Sequence, residues 1–169
     1  MKILVVSDTH LPTRADRLPP DLVEAMEDSP DMVLHGGDYT SVDVLEYFQI
    51  MPHFVGVVGN MDPQTVAESL PREREIEIAG FRIGLLHGDG PGRGEDMFQN
   101  LRNWFNDVDI VISGHTHAPH LKVIDGVYLF NPGSATDPRA DSFPSFGWIQ
   151  LDRDRKPRFT FVAMGGEMR

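Results

Sequence analysis

The chain contains no cysteine, so neither a disulfide nor a thiolate ligand contributes to its fold or chemistry. Any metal must be held by histidine, carboxylate, amide or water, a donor set that suits Mn, Fe, Ni, Co or Zn rather than a soft-metal site. No stretch approaches the roughly 20 apolar residues of a membrane span. The opening run Met-Lys-Ile-Leu-Val-Val-Ser-Asp is too short for a signal peptide and ends in a carboxylate. The expectation is a cytoplasmic protein with no membrane partner. Positive charge is also scarce: 15 Lys plus Arg stand against 26 Asp plus Glu, a net charge of −11. Such a surface repels a phosphate backbone, which argues against a nucleic-acid polymer as partner. A small phosphate substrate stays open, because bound divalent ions reverse the local field. The one basic run, Arg153 to Arg158, reads as a solvated hairpin turn.

What is present describes an ordinary globular chain, 40% hydrophobic and 24% charged over 169 residues. One domain over 1–169 is expected, and a domain of that size buries about 70% of its unfolded surface. The first half alternates strand and helix. Lys2 to Val6 is a continuous apolar run, as in a buried parallel strand. Pro19-Pro20-Asp21 opens a helix to about Glu27, Asp31 to His35 is a strand, and Ser41 caps a helix to Ile50. Phe54 to Val58 is a third strand. The second half is strand-rich, with Glu75 to Ile78 returning as Phe81 to Leu86 through Ala79-Gly80. Helical periodicity covers Gly94 to Phe105, and Asp109 to Ile112 is a buried strand. Asp125-Gly126 joins Leu121–Ile124 to Val127–Phe130 in a hairpin, and Phe146–Leu151 pairs with Phe159–Ala163. This order suggests two sheets packed face to face with helices outside, and α/β folds of that kind place their sites in strand-end loops.

Five short clusters follow those strands: Asp8 and His10 in Ser-Asp-Thr-His, Asp38 in His-Gly-Gly-Asp, Asn60 in Gly-Asn-Met-Asp, His87 in Leu-His-Gly-Asp, and His115 with His117 in Gly-His-Thr-His. Residues two apart on extended chain point the same way, so Asp8 and His10 can converge on one ion. His115 and His117 can do likewise, although a loop could aim the two rings at different ions. Asp89, two residues after His87, is a candidate outer partner for a histidine ring. Each cluster alone has a bland alternative: a loop histidine, a turn carboxylate, or an Asn/Asp turn and helix cap before Pro63. Five together at strand ends describe a metal site. Seven donors exceed what one catalytic ion takes and divide between two divalent ions. His35, His53 and His120 read as structural or solvent-facing histidines.

The ordered set Asp8-x-His10, Gly37-Asp38, Gly59-Asn60, His87-Gly88 and Gly114-His115-x-His117 resembles the calcineurin-like metallophosphoesterase superfamily. The chain's length and Asn131-Pro132-Gly133-Ser134 resemble its small bacterial and archaeal phosphodiesterase branch, to which the retromer phosphoesterase-fold subunit is related. That resemblance implies a four-layer α/β/β/α sandwich of two mixed sheets with flanking helices. It implies two divalent ions, Mn foremost with Ni, Fe, Co or Zn possible. Asp8, His10 and His117 would hold the first ion, Asn60, His87 and His115 the second, and Asp38 would bridge them. The implied activity is hydrolysis of a small phosphodiester, with a metal-bridging hydroxide as nucleophile. Much of the superfamily has histidine after the Gly-Asn pair to protonate the leaving oxygen. Here Met61 stands there, so Asp38, Asn60 and Asp62 are the expected catalytic set, with Asp62 a substitute acid. Arg14 and Arg139, and also Arg17, are candidates for the substrate phosphate. The Asn131–Ser134 segment reads as a tight turn, or as backbone facing the site. A catalytically weak scaffold of the same fold is the alternative, metal-dependent cleavage of a non-phosphate bond a third, and the oligomeric state, including a homo-oligomer, is left open.

Overall fold

A computed structural model describes the chain except Arg93, 140–141, 154 and 166–169, and nothing is described for the Glu95 side chain. Among the described residues, ten strands form two five-stranded mixed sheets. The first runs β10 (Arg158–Ala163), β9 (Ser145–Gln150), β1 (Lys2–Val6), β2 (Met32–His35), β3 (Val55–Gly56). The second runs β4 (Glu73–Ile78), β5 (Phe81–Leu86), β6 (Ile110–Ile112), β8 (Val127–Asn131), β7 (His120–Ile124). Strands β1, β2 and β3 are mutually parallel, as are β5, β6 and β8, while β9, β10, β4 and β7 run antiparallel to their neighbours.

Period-two alternation in β1 sorts the core into layers. Ile3 and Val5 face a cluster with Leu34, Ile83, Leu85, Ile110, Ile112 and Phe130, contributed by both sheets. Leu4 and Val6 point the other way, onto Leu22, Met26, Leu45 and Phe48 from helices α1 (Pro20–Glu27) and α2 (Val42–Gln49). On the far side Leu86, Val111 and Leu129 pack against Met97 and Leu101 of helix α4 (Glu95–Arg102). The order helix, sheet, sheet, helix is the expected four-layer sandwich.

Expectation and structure differ locally. The third strand has two residues rather than five, because the chain leaves β2 after the His35–Gly56 rung and Val58 donates to Pro71 O instead. A short helix α3 (Gln64–Ala67), with Pro63 at its N-cap, follows Asn60 and had no periodic signal. Helix α4 stops at Arg102 rather than Phe105. Phe105 is buried nonetheless, against Gly84, where a Cβ would collide with its ring. Its spacing reported packing, not helix. Ser41 caps α2 by accepting from Val44 N–H, and Asp125-Gly126, both at positive φ, make the hairpin turn between β7 and β8.

Candidate metal centre

All seven expected donors lie on loops leaving the C-terminal ends of parallel strands: Asp8 and His10 after β1, Asp38 after β2, Asn60 after β3, His87 after β5, His115 and His117 after β6. Because β1 and β2 of one sheet face β5 and β6 of the other, these loops converge at one edge of the sandwich. Five of the seven hold left-handed backbone: Asp8 (φ 53), His10 (φ 44), Asp38 (φ 60), His115 (φ 64) and His117 (φ 59). That region is disfavoured for residues with a Cβ and persists only where the surroundings enforce it. Here the enforcement is backbone hydrogen bonding between loops: Asp8 N–H to Gly37 O, His10 N–H to Asp38 O, Gly114 N–H to His87 O.

Each carboxylate has one oxygen pinned and the other aimed at imidazole. Asp8 Oδ2 accepts from Ser7 Oγ at 2.6 Å and His115 N–H at 3.0 Å. Its Oδ1 has no hydrogen-bond donor and lies 3.1 Å from His117 Nε2 and 3.7 Å from His10 Nε2. Asp38 Oδ1 accepts from Met61 N–H at 2.8 Å, while Oδ2 is 3.3 Å from His87 Nε2 and 3.6 Å from His10 Nε2. The Asn60 carbonyl oxygen lies 3.1 Å from His87 Nε2 and 3.0 Å from His115 Nδ1. His10 and His117 bring their Nε2 atoms within 3.2 Å.

The outer ring nitrogens settle the tautomers. His87 Nδ1 donates to Gly36 O at 2.8 Å, and His117 Nδ1 donates to Asp137 O. In the neutral rings Nε2 is then a lone pair, so lone pairs of imidazole, carboxylate and amide oxygen face one another. Such a set is repulsive until a cation lies among them. Burial works against charge on Asp8, but the close imidazoles of His10, His117 and His87 hold its pKa below the ordinary carboxylate value. For His87, burial favours the neutral ring, yet the Asp38 carboxylate and Asp8 outweigh it and raise the pKa to about 9. The ring wants a proton or a metal. Asp8, His10 and His117 form one group able to hold an ion, and Asp8, Asp38 and His87 another, with donor atoms within 4.8 Å in each. The donor set fits divalent ions of the Mn-to-Zn series.

Other expectations move. Asp62, the expected substitute acid, is engaged as an acceptor: its carboxylate accepts from the N–H groups of Asp38 (3.0 Å), Thr40 (2.8 Å) and Gly59 (2.8 Å). It ties the loops after β2 and β3 together and so positions Asp38. Burial raises its pKa against the pull of those bonds. Asp89 is not the second partner of His87, whose outer nitrogen is taken by Gly36 O. Arg14 is spent on Asp137, Nε to Oδ2 at 3.4 Å, and Arg17 lines a separate apolar pocket of about 370 Å³ with Leu18, Val23 and Tyr47. Arg139 lines a pocket shared with His115. His35 is structural, buried and stacked on Tyr39 at 3.9 Å; its Nδ1 accepts from Gly37 N–H, and burial lowers its pKa to about 3.

The Asn131–Ser134 segment turns out to be a clasp. Asn131 Nδ2 donates to Gly114 O and Thr116 Oγ1, and Ser134 Oγ donates to Asp8 O at 2.7 Å. It therefore braces the first and last ligand loops at once. The partners of Asn131, Ser134 and Asp137 are remote in sequence, up to 126 positions for Ser134, and left no local signal; Ser7, whose partner Asp8 is adjacent, has a role the sequence reading missed. Only the Asn-Pro-Gly-Ser pattern drew attention to any of them.

This sandwich with polar strand-end loops defines a class, and comparison supplies the family. The model of the calcineurin-like phosphoesterase superfamily domain matches residues 1–154, and the chain belongs to that superfamily. A probable metallophosphoesterase of Methanothermobacter thermautotrophicus is 38% identical over 155 residues, covering 92% of this chain and 88% of its own. One from Methanocaldococcus jannaschii is 39% identical over 140 residues, 82% of this chain and 70% of its own. Among solved structures, Vps29 of Entamoeba histolytica complexed with Zn²⁺ superimposes with a TM-score of 0.76 at 27% identity, covering 96% of this chain and 99% of its own. No helix among the described residues is long and apolar enough to cross a membrane.

Proposed function

We propose that the protein is a metal-dependent phosphodiesterase that holds two divalent ions, Mn²⁺ foremost, at this edge. Asp8, His10 and His117 would hold one ion, Asn60, His87 and His115 the other, and Asp38 both. The observation that carries the reading is the buried Asp8 Oδ1, without a hydrogen-bond donor and facing the Nε2 atoms of His117 and His10. When bound, the ions supply Lewis acidity toward phosphoryl oxygens and activate water as nucleophile. The protein's own part is placement. Pinned second oxygens fix Asp8 and Asp38, Gly36 and Asp137 carbonyls orient His87 and His117, and Asp62 holds the Asp38 loop. The side chain after Asn60 is Met61, 56% exposed and unable to donate a proton. General acid help worth about 10² to 10⁴ is thus missing at that position, and activated leaving groups are preferred. Equal rates for phenyl and p-nitrophenyl esters would sink this point.

A second reading, a phosphoesterase-fold scaffold, draws on the likeness to Vps29. A scaffold has no need of a complete, braced donor set, which favours the enzyme. The experiment is hydrolysis of bis-p-nitrophenyl phosphate by metal-stripped protein reloaded with Mn²⁺, with Asp38→Ala as control. Restored activity that the variant lacks supports the enzyme. Silence from a metal-loaded wild type moves the weight to the scaffold.

A further inference from the structure

A pocket of about 470 Å³ opens beside His115, between the loop after β6 and helix α4. Its walls differ in character. Met97 and Phe98 of α4 give an apolar side, Thr116 and His115 the side toward the metal centre, and Arg139 a cationic side. Phe98 is held rather than loose: the His120 ring packs edge-on against it, centroids 5.0 Å apart, and Lys122 Nζ sits 3.5 Å from its centroid. Arg139 is fixed through its backbone, N–H to Ser142 Oγ at 3.0 Å, and Ser142 Oγ in turn donates to the Arg139 carbonyl at 2.7 Å, with the His117 carbonyl at 3.2 Å. Among the described residues no carboxylate pairs with the Arg139 guanidinium, whereas Arg14 is committed to Asp137. On a chain of net charge −11, a cation beside the candidate centre is a local exception.

We propose that this pocket seats a flat aromatic group on the non-leaving arm of the phosphodiester, against Met97 and Phe98, while Arg139 pairs with the phosphoryl charge. The proposal rests on the phosphodiesterase reading for the word diester, but not for the pocket. The size is in the range of small-ligand sites, which are apolar with a few directing polar groups. A ring gains from thioether and aromatic neighbours; a methyl or other small arm would leave most of the pocket unfilled. The proposal therefore names a specificity, aryl or nucleobase-bearing arms over small alkyl ones.

The test separates binding from turnover. Calorimetry on the Mn²⁺-loaded protein compares phenylphosphonate with methylphosphonate, neither of which is a diester. Phenylphosphonate is expected to bind about tenfold tighter, as burial of roughly half a ring predicts. Phe98→Ala and Phe98→Leu, the latter keeping the apolar contact should the former fail to fold, are expected to cut the preference below about threefold. Arg139→Gln is expected to weaken both probes alike and leave the preference in place. Equal affinity for the two probes, no detectable phenylphosphonate binding, or a preference undiminished in the Phe98 variants would overturn the pocket. In parallel, phenyl and methyl p-nitrophenyl phosphate, which share one leaving group, are compared for kcat/KM. An aryl preference in binding without any turnover supports the pocket and overturns the enzyme reading. Turnover that is blind to the arm, together with equal binding, does the reverse.

Discussion

The candidate centre has two unlike halves. Asp8, His10 and His117 are buried, at 0%, 3% and 0% exposure, and the carbonyl of Asp137 and the Ser134 clasp stand behind them. In the other half His87 is also buried, but Asn60 is exposed and His115 partly so, and the His115 side meets the pocket of Phe98 and Arg139. The closed half resembles a structural site, with its donors locked and nothing left to meet a substrate. The open half can exchange and be approached. Asp38, buried and facing His87 and His10, joins them. The lesson is that stability and access are divided across one constellation rather than traded at each residue.

The strongest way to break this picture is Asp38→Ala, which removes the group shared by both halves. Diesterase kcat/KM is expected to fall about 10³-fold or more, on the scale of losing a group that stabilises transition-state charge. A loss under tenfold would refute the shared role. Next comes the contrast between halves. His117→Ala removes a buried ring, leaves the Asp137 carbonyl without its donor and takes away a candidate metal ligand, so it is expected to lower both Tm and metal content. Asn60→Ala removes an exposed amide and is expected to lower metal content with little change in Tm. Metal analysis and thermal unfolding of both variants check this; equal losses of Tm would erase the distinction. Smaller again is Asp62→Ala, which strips an acceptor from three backbone N–H groups. Each unsatisfied group costs about 1–3 kcal/mol, moderated here by partial solvent access, and activity should drop with the loosened Asp38 loop. Full activity in a destabilised variant would separate Asp62 from the site.

The smallest effects are those of pH, and they split by window. In His87 burial opposes the proton, but Asp38 and Asp8 raise the folded pKa to about 9, above the unfolded 6.5. In metal-stripped protein this protonated ring stabilises the fold fully below about 6.5, and the contribution is lost as pH rises through 9. Excess Mn²⁺ is expected to reverse that slope, because the metal takes the deprotonated ring. Denaturant midpoints at pH 6.5, 8 and 9.5, with and without Mn²⁺, check it; identical slopes would sink it. His35 behaves oppositely. Burial depresses its folded pKa to about 3, so the unfolded chain takes up a proton first and stability falls as pH drops from 6.5 toward 3. One such proton contributes at most ~1.4 kcal/mol per pH unit. His35→Gln should flatten the acid limb, and an unchanged limb would count against the assignment.

Much of this was legible in the chain. The apolar run of β1 declared a buried parallel strand, and the Asp-Gly turn declared its hairpin. Five polar clusters behind strands named all seven converging side chains, because ligand chemistry needs particular residue types and a strand-end loop leaves a local signature. The class of the fold followed from the same order of elements. Other features had no local signature. That Asp62 would brace the site depended on backbone N–H groups from two loops. Arg14, Arg17 and Arg139 were equal in sequence and became distinct only when one met Asp137, one an apolar groove and one the pocket at His115. Ser134 reaches Asp8 across 126 positions. Residue chemistry and short-range pattern settle which atoms can bind a cation. Which oxygen is pinned, which is left facing two imidazoles, and which half stays open are set by long-range backbone hydrogen bonds, and those exist only once the two sheets have packed.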